Sequence, residues 1–78
     1  MKNNKIDILL GNIIKDARIE KKYTLEDIRI RLGIKEKSTI GNYEHGRRSM
    51  SIDTLIKVCN ILDLDYKEVL DQVASIVK

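Results

Sequence analysis

The sequence predicts an all-α fold, a compact bundle of five short helices. Apolar residues recur at the three- and four-residue spacing of a helix face, and the alternation expected of strands is missing. Helix starts are written repeatedly as a capping residue followed three positions on by an acid or a hydroxyl. The composition, 42% apolar and 35% charged with no Pro, Trp or Phe, suits short packed helices better than sheets or a disordered chain.

The first helix is expected from about Ile6 to Lys22, carried by the stripe Leu9, Leu10, Ile13, Ile14 and Ala17 and ending near "EKKY". In "YTLEDI" Thr24 caps a second helix over 25–32, Asp27 replaces the usual Glu or Gln of a capping box, and Tyr23 and Ile28 can staple the first turn. Gly33 should close it. A third helix starts within "IKEKST" and runs from about Lys37 to His45, closed by Gly46, which can take the left-handed conformation of a helix end. Ser51 in "MSIDTL", flanked by Met50 and Leu55, caps a fourth helix over 52–62. Asp65 in "LDYKEV" caps a fifth over 66–77, with Glu68 reaching back and Leu64 meeting Val69. Residues 1–78 read as one domain without repeats or linkers. A chain of this length buries only about 60% of its unfolded surface, so its core is barely sufficient unless it dimerises.

Several function classes fall away. His45 and Cys59 are each alone in the chain and sit on different expected helices, with no convergent nucleophile, base and orienting group, so no catalytic residue is assigned and no enzyme is expected. His45 is better placed at a helix C-terminus, where positive charge is favoured. No second His or Cys stands at ligand spacing, so neither a metal nor another cofactor is expected. "GNYEHG" lacks the preceding strand and following lysine of a nucleotide-cradling loop. Cys59 cannot form an internal disulfide, and no apolar run reaches the roughly 18 residues of a membrane span. A cytoplasmic protein without membrane contact is the expectation.

Net charge is +3 and unevenly spread. Residues 1–48 carry 12 basic and 7 acidic groups (12 − 7 = +5), residues 49–78 carry 3 and 5 (3 − 5 = −2). Ordinary surface charge is one reading and a polyanion-facing half the other. Arg47 and Arg48, adjacent cations just past the helix stop at Gly46, favour a phosphate grip.

From "LGNIIKDARIEKKYTLEDI" through "LGIKEKSTIGNYEHGRRSMSIDTLIKVCNILDLDYKEVL", Leu10 to Leu70, the chain resembles the helix-turn-helix domain of phage repressors and Cro, the XRE-like family. Its most specific pieces are "YTLED", "RLGI", "TIGNYEHGRR" and "SIDTLIKVCNILDL". The resemblance implies a lambda-repressor-like five-helix bundle with a helix-turn-helix over about 24–45, whose third helix enters the major groove of double-stranded DNA. It implies a sequence-specific, repressor-like transcriptional regulator of bacterial or phage type. By position, Lys37, Ser38 and Asn42 fall where bases are read, and Thr24, Leu25, Thr39, Arg47 and Arg48 where phosphates are met. Arg18 and Glu44 match a pair tying the first helix to the end of the recognition helix. Lys and Asn can bond base edges and Arg can fork onto phosphate, so the chemistry agrees.

Four positions depart from the family pattern. Leu25 stands where Gln is frequent, removing a polar phosphate anchor. Arg29 replaces a small residue, and one extra residue lies between Gly33 and Thr39; a longer turn could make room for the Arg29 stem with its charge at the surface. Gly41 replaces a polar residue inside the recognition helix, where glycine costs about 1 kcal/mol. These departures keep a second reading open, a protein-interaction module on the same scaffold that antagonises another regulator. Beyond Leu70, Val73, Ile76 and Val77 continue the stripe of Tyr66, Val69 and Leu70. They are expected to form a homodimer contact, the other possibility being that they fold onto the domain's own core.

Overall fold

The computed structural model describes residues 5–77, ordered as α1 (Lys5–Glu20), α2 (Leu25–Leu32), α3 (Lys37–Glu44), α4 (Ile52–Ile61) and α5 (Tyr66–Val77). No strand occurs among the described residues. The capping side chains set the starts. Thr24 Oγ1 accepts from the Asp27 amide at 3.0 Å while the Thr24 amide donates to Asp27 Oδ2 at 2.8 Å, a complete capping box. Ser51 Oγ accepts from the Thr54 amide at 3.1 Å. Asp65 Oδ1 accepts from the Lys67 amide at 2.9 Å, a single bond in place of the reciprocal pair expected with Glu68. At α3 the capping position is Glu36, whose side chain makes no cap bond.

The ends of α1 to α4 share one device. A left-handed residue follows the helix, and the next amide reaches back five residues. The bonds are Tyr23 to the Arg18 carbonyl, Ile34 to Arg29, Arg47 to Asn42 and Leu64 to Cys59, at 3.0, 3.3, 2.9 and 2.8 Å. The left-handed residues are Lys22, Gly33, Gly46 and Asp63. Two are not glycine, and this corrects the expected end of α1: it stops at Glu20 because Lys22 already has φ +62°. A Lys21–Asp63 ion pair at 2.8 Å ties the two non-glycine closures together.

Leu10 and Ile14 of α1, Ile28 of α2, Ile40 and Tyr43 of α3, Leu55, Val58 and Cys59 of α4, Leu62 after it, and Val69 and Val73 of α5 form one core. α1 packs on α3 and α5, α2 on α3 and α4, and α4 on α5. The expected α1 stripe faces inward, with Leu9, Ile13 and Ala17 half-buried around Leu10 and Ile14. Val73 requires a correction. It is 3% exposed and belongs to the domain's own core, because a small domain gains more from covering its own apolar area. Val77 also packs against that core. Ile76 alone of the three stays outside, 56% exposed.

Candidate nucleic-acid interface

α2 and α3 pack against each other across the turn 33–36, and that turn is braced from α2. The Arg29 guanidinium donates through Nη1 to the Ile34 carbonyl at 3.1 Å and through Nε and Nη2 to the Glu26 carboxylate at 2.9 and 2.7 Å. Arg29 thus braces the turn from α2, and its charge is engaged there rather than free at the surface. The hydrogen bond from Arg29 holds the Glu26 carboxyl below the usual carboxylate range, and the nearby Lys37 ammonium adds to this.

A second brace fixes α3 from behind. Arg18 Nε and Nη2 fork onto Glu44 Oε2 and Oε1 at 2.6 and 3.2 Å, while Nη1 donates to the Tyr23 carbonyl at 2.8 Å. The Glu44 side chain is 3% exposed and that of Arg18 14%. One guanidinium therefore holds α1 to the last turn of α3 and to Tyr23, two residues before α2. α1 can lie this close because Gly11 has no side chain: a Cβ there would overlap the carbonyl oxygens of Tyr43 and Glu44. No buried side-chain nitrogen or oxygen is left unpartnered among the described residues.

With Ile40, Tyr43 and Glu44 buried, α3 turns its opposite side outward. Lys37 and Ser38 are exposed at its start, and Asn42 lies half-buried one turn on. Arg47 and Arg48 are exposed just past its end, and the Arg48 guanidinium sits 5.9 Å from the centre of the Tyr43 ring, a spacing at which ring and cation attract. Thr39 is half-buried and its amide donates to the Glu36 carbonyl at 3.2 Å. Thr24 is exposed at the start of α2. Leu25 packs its side chain against the core, so what it can offer a phosphate is its backbone amide. The expected base-reading residues thus share one short helix, while the expected phosphate residues are divided: Thr39 lies in the first turn of that helix, Arg47 and Arg48 just past its end, and Thr24 and Leu25 at the start of α2.

The sequence reading passed over two contributors. Gly11 was one more residue inside a helix. His45 was assigned only to a helix end, yet it lies seven residues after Ser38 on the same outward side of α3, the helical spacing that could have signalled it. Its Nδ1 is 2.8 Å from the Gly41 carbonyl. A carbonyl only accepts, so Nδ1 carries the proton and Nε2 is the remaining polar atom.

Among the described residues no group of three or more His, Cys, Asp or Glu could hold a metal, and no helix is long and apolar enough to cross a membrane. The lone Cys59 thiol is buried, and burial pushes it above its usual range.

A braced pair of helices joined by a tight turn, the second presenting a polar face, defines a helix-turn-helix protein. The family model described as "Helix-turn-helix domain" matches residues 11–75, and the chain belongs to that family, in its XRE-like branch. Among solved structures it is similar to the clp gene regulator ClgR from C. glutamicum, at 23% identity and TM-score 0.80 over 94% of each chain. It is similar to the restriction-modification controller protein C.AhdI from Aeromonas hydrophila, at 24% identity and TM-score 0.73, covering 81% of this chain and 94% of that one. These two likenesses show the fold. The master regulator for biofilm formation SinR, solved in complex with DNA, is 32% identical with TM-score 0.69, covering 78% of this chain and 97% of that one. No curated protein sequence matches the chain.

Proposed function

We propose that the protein is a sequence-specific double-stranded DNA-binding transcriptional regulator, repressor-like and of bacterial or phage type, working in the cytoplasm. The observation that carries this reading is the outward side of α3, where Lys37, Ser38 and Asn42 line one helix anchored by the Arg18–Glu44 pair. Its kinship with SinR, itself solved on DNA, supports the same partner. In this reading α3 enters the major groove and Lys37 and Asn42 bond base edges. Arg47 and Arg48, with the amides at the start of α2, meet phosphates and release counterions. Occupying the operator then blocks or recruits polymerase.

A homodimer extends the reading. One helix covers only a few base pairs, whereas two copies can read half-sites about 34 Å apart. Ile76, exposed near the end of α5, is the residue proposed for that contact, with half-buried Val77 beside it. Selection of bound fragments from random duplex DNA tests the function. An enriched motif, with a two-fold repeat if the protein dimerises, is the expected result. Absence of any enriched motif would instead leave a protein partner as the target of this surface.

A further inference from the structure

We propose that Gly41 is where the backbone of α3 comes closest to the base edges, and that its missing side chain is a specificity determinant of this chain. The proposal rests on double-stranded DNA being the partner of α3. Glycine is disfavoured inside a helix relative to nearly every other residue, so its presence in the middle of an eight-residue helix calls for a cause.

Two internal causes are absent. Gly41 is not among the residues of positive φ, which are Lys22, Gly33, Gly46 and Asp63. It is not a close approach within the protein either: a Cβ at Gly41 would meet nothing within 4 Å, whereas one at Gly11 or Gly46 would collide with neighbouring atoms. The cause lies outside the domain.

The position says what approaches. On the helix surface Gly41 neighbours Lys37 and Ser38 of the preceding turn and His45 of the next, all exposed. It is a hollow the size of a side chain amid the polar residues that face the groove. Major-groove edges carry projecting groups, the thymine methyl and the exocyclic amines, and such a hollow can receive one of them. Burial against DNA would also leave no acceptor unpaired here, because the Gly41 carbonyl already receives the His45 amide at 3.0 Å and His45 Nδ1 at 2.8 Å. Close approach at Gly41 brings the short side chains of Ser38 and Asn42 within reach of base edges.

The test compares wild type and Gly41→Ala on a duplex selected by the wild type and on a scrambled duplex, by fluorescence anisotropy, with melting temperatures measured alongside. The expected result is a loss of at least about tenfold on the selected duplex, affinity for the scrambled one within about twofold, and a melting temperature that rises or holds. Undiminished binding to the selected duplex would overturn the proposal. So would an equal loss on both duplexes, or a lowered melting temperature, since either would place the cause inside the fold. Failure of the DNA reading itself shows separately, as a wild type that does not distinguish the two duplexes.

Discussion

Cutting the brace behind α3 should reveal how firmly the recognition helix is held, and the two partners should not cost the same. Arg18→Ala removes both bonds to Glu44 and the bond to the Tyr23 carbonyl, and strands a carboxylate that is only 3% exposed. Glu44→Ala leaves a guanidinium that keeps the Tyr23 carbonyl as partner and is 14% exposed, so some water reaches it. Breaking a buried pair from one side costs about 3–5 kcal/mol. Arg18→Ala belongs near the upper end of that range and Glu44→Ala near about 3 kcal/mol or a little less. In a domain of this size 1 kcal/mol moves the melting midpoint by roughly 4–8 °C, so even the milder variant should melt about 10 °C lower or more. The double variant should lose clearly less than the sum of the singles, because neither charge is then stranded. Thermal and urea melts of the four proteins measure this directly. Additive losses below about 1 kcal/mol each, the behaviour of an exposed pair, would refute the reasoning.

Other outcomes follow from particular contacts. Gly11→Ala forces a Cβ into the carbonyls ending α3 and should cost about 1–3 kcal/mol in a urea melt, with DNA affinity falling alongside. The Asp27 carboxyl is held below its ordinary value first by the Thr24 amide and then by the Thr24 side chain. A depressed carboxyl contributes stability that is fully present above its unfolded value, about 3.9, and lost as pH falls through the lower folded value. Melting temperature against acid pH should therefore drop less steeply for Asp27→Asn than for wild type, and identical slopes would remove that role. Ile76→Asp should convert a homodimer to a folded monomer in sedimentation equilibrium, since Ile76 is 56% exposed and outside the core. Truncation before Val73 would be a poorer test, because it removes a core residue.

Helix starts were legible because the capping groups are side chains adjacent in sequence: Thr24 with Asp27, and Ser51 with Thr54. Ends were legible at Gly33 and Gly46, where glycine announces the left-handed turn. Lys22 and Asp63 take the same conformation without a glycine to announce it, and the ion pair between Lys21 and Asp63 that ties these two closures joins residues far apart in the chain. Periodicity placed Val73 and Ile76 on one stripe, yet the depth at which a stripe meets the core is a tertiary property. Val73 lies under cover and Ile76 at the edge. Arg29 was recognisable as a misfit, but its bond to the Ile34 carbonyl depends on the path of the turn. The Arg18–Glu44 pair, 26 residues apart, came from the family resemblance, because no local pattern could bring those residues together.

The central claim, that α3 reads double-stranded DNA by sequence while the basic half supplies general attraction, is tested most directly by affinity against salt. The protein and Arg47→Ala are titrated onto a selected and a scrambled duplex. The account predicts selected over scrambled by at least about a thousandfold. Affinity should fall steeply with salt on both duplexes, and the slope should be shallower by about one unit for Arg47→Ala on each. Equal, feeble binding to the two duplexes at every salt concentration would contradict it.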